Sequence, residues 1–225
     1  MATTPEIVSA TRRAYDGWGG LWELAHTRPL LWFLYGYLGW GSDLREGERA
    51  VERFVAEWDT GGAVLDVPVG IGRMFPYYAT RLRPSRVIAV DLSEGMVDRA
   101  RRTAQQAGFD GNAEFHAADV AALPVESESV DYVFTEGGFH HFPDRPAAMR
   151  ELMRVLRPGG RIAGYSLVAG ENRRGTLMFR ACYRAKLMGS PIPAAELRSV
   201  FAAAGATDWR EAKTGSLLMF TARKP

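Results

Sequence analysis

One cysteine, Cys182, is all that the 225 residues contain. A disulfide within the chain is therefore excluded, and so is a metal site built from several thiolates. Cys182 itself reads as a small apolar residue of a core. An excess of charge of either sign is lacking too. The net charge is +2, too small for wholesale nucleic-acid binding. Long hydrophobic runs are missing: the most apolar stretch, residues 29–40, has 12 residues, where a spanning helix needs about 20. The first residues show no basic segment followed by an apolar one, so no signal peptide is expected and the expected location is the cytoplasm. Repeats and low-complexity tracts are absent as well. What remains is 47% hydrophobic and 24% charged, the composition of a globular chain long enough for one α/β domain.

From residue 46 the pattern is regular. Val51, Phe54, Val55 and Trp58 repeat at i, i+3, i+4 and i+7, which predicts a helix over 47–58, stopped by Gly61 and Gly62. Apolar runs at 63–67, 87–90, 113–116, 130–134 and 161–167 predict strands. Between them lie a helix over 93–106 with Ser93 as N-cap, and one through Met149, Leu152, Met153 and Leu156 that Pro158-Gly159-Gly160 ends. A helix with Leu197, Val200, Phe201 and Ala204 precedes strands near 207–212 and 216–222. Strands alternating with helices predict a doubly wound, mostly parallel sheet of seven strands. The connection 213–216 is too short for a parallel crossover, so one strand near an edge runs antiparallel. Residues 1–45 are different. Trp18, Trp22, Trp32 and Trp40, four of the six tryptophans, fall there among interrupting glycines. They predict an N-terminal helical lid over a main domain of residues 46–225, with a cap insertion at about 170–190.

In such a sheet a ligand sits beyond the carboxyl ends of the strands. The turn after the first strand, Asp66-Val67-Pro68-Val69-Gly70-Ile71-Gly72-Arg73, has glycines that let a backbone approach a ligand closely. The second strand ends in Asp91, 19 residues after Gly72, where a carboxylate can accept from both hydroxyls of a ribose. Two nucleoside cofactors suit this outline. The dinucleotide fingerprint requires a third glycine where Phe75 stands, which disfavours a nicotinamide dehydrogenase.

Residues 64–72, Val-Leu-Asp-Val-Pro-Val-Gly-Ile-Gly, resemble the first motif of class I S-adenosylmethionine-dependent methyltransferases. Residues 87–96, 118–124 with 129–133, and 154–161 resemble their following motifs in the same order. Within that class the chain is most similar to the ubiquinone- and menaquinone-biosynthesis type and its small-molecule relatives. The likeness implies a Rossmann-like fold with S-adenosylmethionine as cofactor and S-adenosylhomocysteine as product. It implies that Asp66 and the Gly70–Gly72 turn hold the amino-acid end and that Asp91 takes the ribose. It further implies that Leu92 and Met96 flank the adenine, Asp119 accepts from its amino group, and the Val120 N–H donates to the ring. Glu136 is implied near the ammonium and sulfonium, and Tyr15 of the lid is a further cofactor contact. Pro68 departs from the glycine usual there. That position must then neither need positive φ nor donate a hydrogen bond.

Methyl transfer from a sulfonium chiefly needs an aligned acceptor and a dry site. A base is needed only where the nucleophile carries a proton. His140 and His141, directly after the fourth strand, are the candidate catalytic residues, with His140 first. The Asn- or Asp-Pro-Pro-Tyr motif of base-methylating enzymes is absent, the region reading Thr135-Glu-Gly-Gly-Phe139. The aromatic lid suits a flat or lipophilic small-molecule acceptor, and no nucleic-acid partner and no transmembrane segment are expected. A monomer or homodimer is expected. Between Arg173 and Lys186 stand five basic side chains and no acid, a pattern that suits a solvated face, an anionic group or a membrane surface. The expected activity is C- or O-methylation of a small, largely apolar or aromatic molecule. The alternatives are a non-methylating reaction on the same cofactor and a catalytically dead scaffold.

Overall fold

The computed structural model describes residues 34–109, 111–185 and 188–225, together with the single positions 9, 12 and 28. Seven strands form one sheet in the order β3-β2-β1-β4-β5-β7-β6. They are β1 (Ala63–Asp66), β2 (Arg86–Asp91), β3 (Asn112–Ala117), β4 (Val130–Glu136), β5 (Leu156–Leu167), β6 (Thr207–Thr214) and β7 (Leu217–Arg223). The central strands β1, β2 and β4 are buried on both faces, as their unbroken Val, Ile, Leu and Ala runs require. β1, β2, β3, β4 and β5 pair in parallel, while β7 lies antiparallel to both β5 and β6. The reversed strand is thus next to the edge, as the short hairpin demands. Edge strand β6 carries Arg210, Glu211 and Lys213, which discourage further pairing.

The helices are α1 (Leu44–Val55), α2 (Phe75–Tyr77, continuing as π-helix through Tyr78–Leu82), α3 (Glu94–Gln106), α4 (Arg145–Val155), α5 (Arg173–Arg184) and α6 (Ala194–Ala203). A π-helix, Tyr35–Trp40, precedes α1. Side-chain caps set four of the starts. Asp43 accepts from the N–H groups of Arg45 and Glu46, Ser93 from Met96, Asp144 from Ala147 and Asn172 from Gly175. The Asp43 cap moves α1 three residues earlier than the apolar spacing predicts, and the helix ends at Val55. Trp58 lies beyond it and stacks on Tyr132 at 4.6 Å instead. β5 begins at Leu156, five residues before the expected strand, with an irregularity between Val130 and Tyr132 where it joins β4.

Of the expected lid, residues 34–45 and the single positions 9, 12 and 28 are described. Trp40 is 1% exposed and belongs to the same core as the sheet. Its ring stands edge-on to Phe179 of α5 at 5.9 Å and to Tyr35 at 6.0 Å. Asn172 ties the two segments further, donating to the Trp40 carbonyl at 3.0 Å and to the Ser216 hydroxyl at 2.8 Å. Trp18, Trp22 and Trp32 lie outside the described residues. No helix among the described residues is long and apolar enough to cross a membrane.

Candidate active site

A cleft opens over the carboxyl ends of β1, β2 and β4. At one end its wall is Gly70, Asp91, Leu92, Met96, Asp119 and Val120. At the other it is Tyr35, Leu44, Phe142, Leu167 and Leu217, with Glu136, Gly137, His140 and His141 between. Most of the expected site residues therefore meet in one place, although up to 73 positions separate them, from Pro68 to His141. Tyr15 lies outside the described residues.

The turn after β1 shows how this end is shaped. The Val67-Pro68 peptide is cis, and Pro68 lines the cleft. Gly70 has φ +54°, and a Cβ there would meet nothing within 4 Å, so its backbone faces open space in the cleft. Its N–H donates to Asp91 Oδ2 at 2.9 Å, and the Ser93 N–H donates to Asp91 Oδ1 at 3.0 Å. Asp91 is thereby fixed at the cleft wall by two charge-assisted bonds. The Asp119 carboxylate accepts from the Ala121 N–H at 2.9 Å in the loop after β3.

Two of the expected residues lie behind the cleft wall. Gly72 does not line the cleft. Its φ is +78°, and a Cβ there would stand 2.9 Å from the Ala100 Cα, so this glycine allows the turn to press on α3. Asp66 does not line it either. It is 2% exposed and accepts from the Tyr78 hydroxyl at 3.0 Å. Burial, then the nearby Glu136, pushes its carboxyl well above the usual range, against the Tyr78 bond that lowers it. Asp66 thus supports the turn from behind.

Glu136 sits at the end of β4 and accepts from Arg73 at 3.0 Å and from the Tyr165 hydroxyl at 2.9 Å. Arg73 also pairs with Glu48 of α1. Sequence reasoning missed Arg73 and Tyr165. Arg73 stood in the quoted turn, directly after Gly72, where a cation reaching back to the strand ends was the available signal. Nothing in the sequence marked Tyr165, Leu44 or Leu217, which only the folded sheet brings to the cleft.

His140 is 4% exposed. The Leu167 N–H donates to its Nδ1 at 3.2 Å, and the Ser166 hydroxyl lies 3.3 Å from the same nitrogen. A backbone N–H can only donate, so Nδ1 is the acceptor and the neutral ring carries its proton on Nε2. The Cε1–Nε2 edge runs beside Gly137 of the cleft wall. In this tautomer His140 offers the cleft a hydrogen-bond donor. Burial, then His141 and Arg145, holds its pKa well below the usual imidazole value, so the ring stays neutral. His141 packs on it at 4.3 Å between ring centroids, and burial lowers its pKa to about 4.

Comparison with known proteins agrees with this architecture. Residues 64–160 match the methyltransferase domain family. The chain is 35% identical over 133 residues to methyltransferase GfsG of Streptomyces halstedii, covering 58% of this chain and 46% of that protein. It is 35% identical over 130 residues to the ubiquinone/menaquinone biosynthesis C-methyltransferase UbiE of Geobacter sulfurreducens, covering 57% and 50%. The chain thus spans about half the length of these curated relatives. In fold it resembles a SAM-dependent methyltransferase of Aquifex aeolicus, with a TM-score of 0.64 at 21% identity over 84% of this chain and 93% of that one. With residues of three of the four sequence motifs lining one cleft, the chain is similar, through residues 64–160, to the S-adenosylmethionine-dependent methyltransferases.

Proposed function

We propose that the chain methylates carbon or oxygen of a small, largely apolar acceptor with S-adenosylmethionine. The observation that carries this is the cleft itself, with a nucleoside-like set of groups at one end and an apolar wall at the other. The residues suit the cofactor: a carboxylate for the ribose, soft side chains for a ring, and an open glycine backbone. Asp91 would hold the ribose hydroxyls, Leu92 and Met96 the adenine faces, Asp119 and the Val120 N–H its edge. Tyr15 of the lid would add a further contact. When bound, the cofactor supplies a methyl group on a sulfonium, a leaving group that needs no activation.

The chain's remaining work is alignment and water exclusion. Tyr35, Leu44, Leu167 and Leu217 would hold the acceptor by apolar contact. The Nε2–H of His140 would donate to an acceptor oxygen, favouring the form in which that oxygen carries negative charge. His141 is the remaining candidate to take a proton. Glu136, tied to Arg73 and Tyr165, would face the cofactor's amino-acid end.

Titration calorimetry with S-adenosylmethionine tests the reading. Binding is expected, and Asp91→Ala should weaken it by about 1.5–3 kcal/mol, the scale of lost bonds to a charged acceptor. An Asp91→Ala protein that folds and binds the cofactor unchanged would show that the ribose lies elsewhere.

A further inference from the structure

The outer surface of α5 has chemistry that the cleft does not use. Arg173, Arg174, Arg180 and Arg184 are exposed, and none of them makes an ion pair with a described residue. The helix holds no acid. Leu177, Met178 and Tyr183 are exposed among these arginines, Leu177 at 68%. The π-helix packed beside α5 adds Leu34, Tyr37 and Leu38, the last 59% exposed. Met178 closes the seam between the two segments, its Cε 3.7 Å from where a Cβ on Gly39 would stand.

We propose that this face docks on an anionic lipid bilayer. Guanidinium groups pair with lipid phosphates, and the interleaved aliphatic side chains enter the boundary between headgroups and acyl chains. A nucleic acid satisfies the arginines but offers nothing to Leu34, Leu38, Leu177 and Met178, whereas a bilayer interface satisfies both sets. The inner sides of the same two segments reach the cleft. Tyr35 lines its apolar end, and Phe179 stands edge-on to His140 at 6.0 Å. The docking face and the acceptor end are thus opposite sides of one layer. A lipophilic acceptor dissolved in the bilayer then has a short route inward. That last clause rests on the proposed function, while the docking does not.

Co-sedimentation of the full chain with vesicles tests it, without cofactor or acceptor. The chain should bind mixed phosphatidylglycerol–phosphatidylcholine vesicles at low salt, bind pure phosphatidylcholine vesicles far less, and be released as salt rises. Arg180→Gln with Arg184→Gln should lower the partition coefficient about tenfold or more. Leu177→Gln with Met178→Gln should lower it comparably while leaving retention on heparin unchanged. No binding to the anionic vesicles overturns the proposal. So does vesicle binding by the Leu177/Met178 variant equal to wild type, which would assign the face to a purely ionic partner. A concentration-dependent dimer that the same substitutions dissolve overturns it as well. Calorimetry with S-adenosylmethionine on the same samples separates the readings. Docking without cofactor binding would leave this proposal standing and remove the proposed function, and the reverse would do the opposite.

Discussion

At the scale of single residues, one hydrogen bond decides what His140 can do. The Leu167 N–H occupies Nδ1, so the proton resides on Nε2 and the ring offers a donor to the cleft. A glutamine amide can imitate that donor, whereas alanine cannot. His140→Gln should therefore keep turnover within about tenfold, and His140→Ala should lose on the order of 10²–10³-fold, the scale of one donor to a developing oxyanion. Cofactor affinity should change little in either. The wild-type rate should also be flat through the usual imidazole range, because burial moves His140 well below it and His141 to about 4. If glutamine proves as damaging as alanine and the rate falls with pH through that range, His140 works as a base. The position of this residue was legible in the sequence, directly after the fourth strand. Its tautomer was not, because that depends on a backbone group 27 residues away.

At the scale of elements, the π-helix Tyr35–Trp40 anchors itself in the sheet domain through Trp40. Trp40 fills core space against Phe179, and its carbonyl accepts from Asn172 and from the Ser216 N–H. Trp40→Ala should cost about 3–5 kcal/mol, as large-to-small changes in a core do. For a chain of this size that lowers the thermal midpoint by roughly 10 °C. Leu38→Ala, two residues away but 59% exposed, should stay within about 0.5 kcal/mol. Thermal melts of the two variants check the contrast, and equal midpoints would show that this segment does not bear on the core. The sequence made the tryptophans conspicuous but gave no period by which to separate inward from outward rings. The glycines at 36, 39 and 41 break any helical count, and only packing selects Trp40 for burial.

At the scale of the whole molecule, the buried Asp66 and His140 and the half-buried His141 tie stability to pH in opposite senses. The unfolded chain protonates His140 and His141 below about 6.5, while the folded chain resists, His141 until about 4. The unfolded state then binds more protons over that window, so stability falls as pH drops through it. Asp66 acts the other way. Its folded pKa is raised, so its contribution is fully present below the unfolded value of about 3.9 and is lost as pH rises through the folded one. At pH 7.5 an ionised Asp66 would stand buried near Glu136 and Asp91. Asp66→Asn should accordingly raise stability by about 1–3 kcal/mol at pH 7.5, with the gain vanishing near pH 4. Calorimetric melts of wild type and variant across that range measure it. A variant less stable at pH 7.5 would mean that the Tyr78 bond outweighs the charge.

The sequence by itself determined the order of the seven strands and the helices α3, α4 and α6 between them, because each has its own period and its own stop, whereas α2 and α5 carried no such signal. It also determined that one strand near the edge is reversed, because a short connection cannot carry a parallel crossover, and the structure shows that strand to be β7. The Asp91 end of the cleft was legible for the same reason. A turn and a strand end are local features, and sheet topology places them together. Tertiary structure alone decided the rest. Tyr165, Leu44 and Leu217 reach the cleft from distant segments, with no local signal to announce them. Gly72 was drawn to α3, and Asp66 to Tyr78, by packing behind the turn. A spacing rule names the residues of a loop, but which of their faces meets the ligand is set by the layers on either side.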